Sequence, residues 1–435
     1  MASKKKPTAT NVVAKAELTP KLRFPQFTKT ETWKDIPIHE ILNVRDERRI
    51  PSADIPLYSL TIENGITAKT DRYNREFLVT NAETKKYKLV KPNDIVYNPS
   101  NLRWGAINFS QLSHAVVVSP IYEVLHLTED SDQSLNFIAC AVMRTEQINR
   151  FITKGQGTLI ERVAVKIDDF LSTCLPIPPS LPEQQKIADC LSSLDDVIAE
   201  QGRKVDSLKT HKKGLMHQLF PREGETQPRL RFPEFRKAGE WDNKRLCEIV
   251  DIKSGATPSK DNTAFWNGSV PWISAKDMKR LFLDDAQDHI SQTAVDDGAR
   301  LAPQGTLLIL TRGMTLLRDV PICVLCRNMS FNQDVKGLYP KDGVHALFLA
   351  WLLVATKQRL LEMVTIAGHG TGKLETEELK GLDLMMPLQD EQQCIAECLT
   401  NLDNLISYET QKLDALKAHK KGLMQQIFPS TTDTD

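Results

Sequence analysis

The sequence predicts two α/β (α+β) domains with β-rich cores, joined by two long antiparallel coiled-coil helices with pseudo-two-fold symmetry. Three observations carry that expectation. Near-identical blocks recur at one fixed step along the chain. Two of these blocks hold an apolar seam with heptad spacing over about five heptads. The segments between the blocks mix short strand-like runs with turn signals and brief helical stretches.

The repeat comes first because everything else is organised by it. LRFPQF at 22–27 returns as LRFPEF at 230–235, each followed by a tryptophan, Trp33 and Trp241. EQQKIADCLSSLD from Glu183 returns as EQQCIAECLTNLD from Glu391, and HKKGLMHQLFP from His211 as HKKGLMQQIFP from His419. Each pair lies 208 residues apart, and 23 of the 39 positions in 183–221 recur in 391–429. Between the blocks, residues 35–170 and 243–378 are dissimilar in detail. A unit of about 200 residues is too long for a solenoid repeat, so one whole domain-plus-helix module has been duplicated. The frame does one job twice, while the inserts do related but different jobs.

In the first copy the apolar positions run Ile187, Leu191, Leu194, Ile198, Val205, Leu208, Leu215 and Leu219, with Gln201 and Lys212 at the two gaps. The second gives Ile395, Leu399, Leu402, Ile406, Leu413, Leu416, Leu423 and Ile427, with Glu409 and Lys420 at the same gaps. Steps of four and three over roughly 37 residues predict about 55 Å of helix in each copy. Acidic residues in SLPEQQ (180–185) and LQDEQQ (388–393) suit a helix start, and Phe220-Pro221 and Phe428-Pro429 suit a stop. Acids cluster early in each helix and lysines late. An antiparallel pairing therefore sets acidic halves against basic ones, whereas a parallel pairing sets like against like. The lysines of HKKGLM read as a solvated, dipole-complementing helix end; a docking role toward a partner or DNA is the alternative.

The inserts contain strand-like NDIVYN (93–98), HAVVVSP (114–120) and GTLLILT (305–311), and a helical HALFLAWLLVAT (345–356). Basic and amide side chains gather in loop-like segments. These supply the candidate DNA-binding residues: Arg75, Lys85, Lys86, Asn101, Arg103 and Trp104 in the first insert. The second supplies Ser274, Lys276, Lys279, Arg312, Thr315, Arg318, His369 and Lys373. Such side chains on loops read base edges and grip phosphates, and they also populate any surface loop.

Composition bounds the reading without deciding it. The 56 basic and 56 acidic residues cancel, where a free-standing DNA binder is usually basic. Either the basic residues are segregated or partners supply part of the phosphate grip. No apolar run approaches a bilayer span, and MASKKKPTAT lacks the apolar stretch of a signal peptide, so a cytoplasmic chain is expected. Eight cysteines in 435 residues make no disulfide framework, and the lone CxxC, Cys323 to Cys326, has no second ligand pair nearby; core packing is expected there and no metal.

The LRFPxF…W opening, the PxxEQQxIA helix start and the HKKGLMxQxFP helix end, each present twice, resemble the frame of specificity subunits of type I restriction-modification enzymes. The stretches 254–278, 305–319 and 368–387 resemble parts of their target recognition domains, while 98–110 matches only loosely. The resemblance implies a tail at 1–17, recognition domains at 18–180 and 222–387, helices at 181–221 and 388–429, and a tail at 430–435. It further implies that each domain reads one half of a bipartite, asymmetric site in double-stranded DNA. Two methyltransferase (modification) subunits would bring S-adenosylmethionine, and motor-nuclease (restriction) subunits would use ATP and Mg, leaving this chain no cofactor of its own.

Rival readings are an enzyme or a protein–protein scaffold. Asn98-Pro99 is followed by Ser100 where an adenine-methylating motif has a second proline, and no Gly-rich cofactor loop accompanies it. GHGTGK fails the phosphate-loop pattern at Ala367 and Leu374. The scaffold reading predicts binding that is indifferent to salt; DNA recognition predicts a steep salt dependence.

Overall fold

The computed structural model describes residues 18–62, 65–68, 85–129, 131–155, 163–368 and 370–429. The tails expected at 1–17 and 430–435, together with Arg75 and His369, lie outside the described residues. Two compact units emerge: Met1–Glu200 with Leu413–Asp435, and Gln201–Lys412. Two long helices, Leu181–Leu219 and Gln389–Ile427, each contribute to both units. No helix among the described residues is long and apolar enough to cross a membrane.

In the first unit, Lys34–Pro37 pairs antiparallel with Cys174–Ile177, placing the strand after Trp33 against the strand that leads into the first long helix. A four-stranded antiparallel sheet orders Leu42–Val44, Glu123–Leu127, Ile95–Tyr97 and Ile107–Phe109. A second sheet joins Arg48–Arg49, Tyr87–Val90 and Val116–Val118. Helix Leu135–Val142 starts at Ser134, whose hydroxyl accepts from the Phe137 N–H, an N-cap worth about 1 kcal/mol. The core gathers Trp33, Phe137, Leu191, Ile427 and Phe428. Trp33 meets Phe137 and Phe428 edge-on at 5.8 and 5.7 Å, a geometry worth about 0.5–1.5 kcal/mol beyond burial.

The second unit repeats this frame on a larger sheet. Asp242–Arg245 pairs with Asp383–Met386, Trp241 packs on Phe348 at 6.0 Å, and Phe348 on Phe220 at 5.8 Å. Five strands order Val250–Ser254, Val335–Pro340, Leu307–Leu310, Ile322–Leu325 and Phe282–Leu283, the last pair parallel. Leu307 to Leu310 are buried without alternation, as a strand covered on both faces requires. Helix Ala346–Ala355, apolar on nearly every side, is buried from Phe348 to Leu353. Cys323 lies in this core, where burial pushes its thiol up to about 12, while Cys326 is exposed.

The repeated motifs close on one another. Arg23 donates through Nε and Nη2 to the two oxygens of Glu183, both at 2.7 Å. Arg231 does the same to Glu391, also at 2.7 Å. Both glutamates are fully buried. Their helix-dipole placement is thus the smaller part of their role; each is the partner of a buried arginine.

The heptad seam is present in each unit. In the first, Ile187, Leu191 and Ile427 are buried, Leu194, Ile198, Leu413, Leu416 and Leu423 partly so, and Lys420 reaches Asp195. In the second, Val205, Ile395, Leu399 and Ile406 are buried, Leu208, Leu215 and Leu402 partly so, and Lys212 reaches Asp403. Gln201 meets Glu409 while Lys212 meets Asp403, so the two segments in this unit run antiparallel. The Gln201 amide donates to the Glu409 carboxylate at 2.7 Å and its carbonyl at 2.9 Å, and Lys204 reaches the other oxygen at 2.5 Å. The HKKGLM block is therefore more than a solvated end: Lys212 and Lys420 are seam cations, and Leu215, Met216, Leu423 and Met424 pack on the cores.

Two outcomes are expected in urea unfolding. Arg23→Ala or Arg231→Ala strands a buried carboxylate and costs roughly 3–5 kcal/mol, while the double replacement Arg23→Met with Glu183→Leu recovers most of it. Lys204 foremost, then Gln201, hold the Glu409 carboxyl below the ordinary glutamate range. Its contribution is therefore complete above the unfolded value near ~4.3 and is lost as pH falls through the lower folded value. Stability should drop more steeply on acidification below about pH 4.3 in the parent than in Glu409→Gln, which has no proton to take up.

Candidate nucleic-acid interface

In the first unit the best-formed candidate surface is the turn Asn98–Ala106. The Asn98 N–H donates to the Ala106 carbonyl at 2.8 Å, and its side-chain oxygen accepts from the Ser100 N–H at 3.1 Å. This Asx-type turn leads into the 3-10 turn Leu102–Trp104, closed by Gly105 at φ +85, where a side chain would strain the backbone. The Val165 N–H ties Pro99 to the rest of the unit at 3.1 Å. On this fixed backbone Asn101 is exposed, and Trp104 keeps 61% of its surface in solvent. The Arg103 guanidinium sits 4.9 Å above the Trp104 ring.

Lys85 and Lys86 are exposed where the chain enters Tyr87–Val90, with the Lys85 amine 5.6 Å from the Tyr87 ring. They adjoin the sheet of Tyr87–Val90, whereas Asn101, Arg103 and Trp104 lie on the turn between Ile95–Tyr97 and Ile107–Phe109 of the other sheet. Pairing sets Arg48 opposite Lys88 and Arg49 opposite Tyr87, so two further arginines border the lysines. These two were not among the candidates the sequence supplied. Arg48 does pair with Asp46 at 3.0 Å and Arg49 with Glu47 at 2.5 Å, both on the surface, where such pairs contribute little and leave the cations available.

In the second unit the structure brings two distant segments together. Arg312–Gly313 pairs antiparallel with Gly372–Lys373, which pairs in turn with Thr365–Ile366, so Arg312 and Lys373 are register partners across the ribbon. Gly372 is required: a Cβ there would lie 2.7 Å from Leu316 Cβ. Thr315 and Arg318 are exposed on the following turn, where the Thr315 carbonyl accepts from the Arg318 and Asp319 N–H groups at 3.0 and 2.9 Å.

Ser274, Lys276 and Lys279 lie on the loop after Val270–Ile273. The Ser274 N–H and hydroxyl both donate to Asp277, at 2.9 and 3.1 Å, so the hydroxyl serves the turn. Lys276 pairs with Asp288 at 2.7 Å across the surface, and Lys279 is exposed. Residues Asn332–Asp334 connect this loop to the ribbon. The Asn332 N–H donates to the Ile273 carbonyl at 2.9 Å, and the Thr311 N–H and hydroxyl donate to the Asp334 carbonyl at 2.8 and 2.9 Å.

A polar cluster that sequence reading missed adjoins the same segment. Thr257 donates to the Gln333 side chain, and the Lys336 amine donates to Ser254 Oγ at 2.7 Å. Burial lowers the Lys336 amine from its ordinary range. The close approach depends on Gly255, where a Cβ would fall 2.1 Å from the Phe331 carbonyl oxygen. The available signal was the spacing of two polar runs, SGATPSK and FNQDVK, but nothing in either run shows that they pack together. Among the described residues no group of three His, Cys, Asp or Glu side chains is placed to hold a metal.

In architecture this is a duplicated module with one repeated helical frame and two unequal sheet-rich inserts. The family model described as "Type I restriction modification DNA specificity domain" matches residues 30–210 and again residues 238–418, and the chain belongs to that family. The Escherichia coli type I restriction enzyme EcoR124I/EcoR124II specificity subunit is 28% identical over 255 residues, 57% of this chain and 60% of the relative. The MjaIX specificity subunit of Methanocaldococcus jannaschii is 29% identical over 195 residues, 43% of this chain and 44% of the relative. The matches thus span less than two thirds of either relative. The type I restriction-modification S subunit from M. genitalium aligns over 95% of this chain and all of its own, with a TM-score of 0.60 at 15% identity, which shows a shared fold.

Gly255→Ala should cost about 1–3 kcal/mol in thermal unfolding by overpacking against the Phe331 carbonyl. Gly239→Ala, where a Cβ meets nothing within 4 Å, serves as the control and should be near neutral.

Proposed function

We propose that this chain is the DNA-sequence-recognition subunit of a type I restriction-modification complex and has no catalytic role of its own. Each insert reads one half of a bipartite, asymmetric site in double-stranded DNA. The long helices, continuous with both units, set the unread spacer and dock the two methyltransferase subunits. Those subunits supply S-adenosylmethionine, motor-nuclease subunits supply ATP- and Mg-dependent cleavage, and the assembly works in the cytoplasm.

The observation that carries this reading is the pairing of an equal frame with unequal inserts. Arg23–Glu183 and Arg231–Glu391 are the same interaction made twice, yet one insert offers Arg103 and Trp104 on a turn, and the other offers Arg312 and Lys373 on a ribbon. A duplicated frame matches the approximate two-fold symmetry of duplex DNA, as dimeric readers match half-sites. Two different readers on it suit an asymmetric bipartite sequence.

Methylation-sensitive single-molecule sequencing of DNA from cells making this chain with its modification subunit should reveal a bipartite motif carrying methyladenine in each half. Exchanging residues 35–170 for another insert should change one half and leave the other. Assembly without any motif dependent on this chain would sink the reading in favour of a scaffold. In gel-shift titrations, affinity should fall linearly on a log–log salt plot by about 0.9 per phosphate neutralised, and Arg312→Ala should reduce that slope by about one if the guanidinium holds a phosphate.

A further inference from the structure

The three-stranded ribbon that joins Arg312 to Lys373, and the 3-10 turn Met314–Leu317 that follows its first strand, carry large apolar side chains that the second unit leaves uncovered. Met314, Leu317 and Ile366 expose 63%, 40% and 73% of their surfaces. Their backbone is well held. The Leu374 N–H donates to the Thr311 carbonyl at 2.9 Å, while Ala367 N–H to Thr371 and Gly370 N–H to Ala367, both at 2.8 Å, close the hairpin turn. Large apolar side chains held in water on a fixed backbone, beside polar groups, mark an interaction surface.

Charge says what fits it. Arg312 precedes and Arg318 follows the Met314–Leu317 turn; both are exposed and have no carboxylate within ion-pair distance among the described residues. The acids beside them are already taken, Asp319 by Lys357 at 2.9 Å and Glu375 by Lys373 at 2.5 Å. The complementary partner presents negative charge together with apolar groups. The major groove of DNA offers both: phosphates line its edges, and thymine presents a 5-methyl group on its floor.

Resting on the recognition function above, we propose that Met314, Leu317 and Ile366 read thymine 5-methyl groups in the half-site bound by the second unit, with Arg312 and Arg318 on the flanking phosphates. Specificity in that half then comes partly from apolar contact, and the cations supply grip without sequence information.

The test is fluorescence anisotropy with the assembled complex on a duplex carrying the mapped motif, replacing each thymine of that half-site in turn by deoxyuridine. At least one replacement should weaken binding by about 4-fold, the value of one buried methyl. Ile366→Ala or Met314→Ala should weaken binding of the thymine duplex comparably and make it indifferent to the same deoxyuridine. Affinity for an unrelated duplex, salt slope and melting temperature should stay unchanged, since both side chains are exposed. Specific binding that tolerates every deoxyuridine in that half, or alanine variants that keep full thymine sensitivity, overturns the methyl-reading proposal while leaving DNA recognition standing. Absence of specific binding by the unaltered complex overturns the recognition reading, and this proposal with it.

Discussion

Arg23 and Arg231 each bring a guanidinium into a site almost closed to water, and each finds there a carboxylate with two oxygens to offer. The bidentate geometry is what makes burial of both charges tolerable, because a single buried ion left unpaired costs several kcal/mol. The remaining donors are also used: Arg23 reaches the carbonyls of Thr30 and Glu31 at 3.2 and 2.9 Å, and Arg231 those of Ala238 and Gly239, both at 2.9 Å. One side chain thus fixes the loop before the frame tryptophan and the start of a long helix together. The next residue on the helix carries the constraint onward. The Gln184 side-chain oxygen accepts from the Ser134 N–H, and that of Gln392 from the His345 N–H, both at 2.8 Å. Each insert helix is therefore anchored at its N-terminus by the frame, whatever the rest of the insert contains.

The seam obeys the same logic of few but costly polar contacts. A wholly apolar heptad pattern would let one helix slide along the other by a full repeat, and a buried polar group at a seam position removes that freedom. Gln201 and Glu409 occupy equivalent positions of the two repeats and bond to each other, so a shift of register would leave both unsatisfied. Lys212–Asp403 in one unit and Lys420–Asp195 in the other are likewise one interaction made twice. Stability from these pairs is modest; their larger effect is to select one alignment over its neighbours.

The frame was legible in the sequence because repetition supplies its own control: residues returning after 208 positions stand out from those that do not. Helix extent and seam positions followed from spacing alone. The partnership of Arg23 with Glu183 was not legible, although both belonged to repeated motifs, because periodicity reports on one element at a time and this contact spans 160 residues. The inserts were harder still. The Arg312–Lys373 pairing depends on strand register, which a strand of two residues cannot announce. The Ser254, Thr257, Gln333 and Lys336 cluster was missed for the same reason: its members come from separate segments brought together by Gly255. Nothing in the sequence sets Met314 and Ile366 apart from other apolar residues; only their exposure marks them out.

The neutral net charge, which seemed to weigh against DNA binding, follows from where the charges are spent. Part of the frame's charge is paired internally, Glu183, Glu391, Asp403, Glu409 and Asp195 against Arg23, Arg231, Lys212, Lys204 and Lys420. These pairs hold the scaffold and present no net field to a partner. Lys85 and Lys86 in one insert, and Lys279, Arg312 and Arg318 in the other, remain exposed on loops and ribbon edges. A phosphate approaching within one Debye length, about 8 Å at physiological ionic strength, feels those local cations and not the sum over 435 residues. Formal neutrality is thus compatible with the proposed DNA recognition, because the net charge of the chain does not describe the local charge at each insert. On the proposed function, such an arrangement limits non-specific affinity, so base contacts would carry a larger share of the binding energy than on a uniformly basic protein.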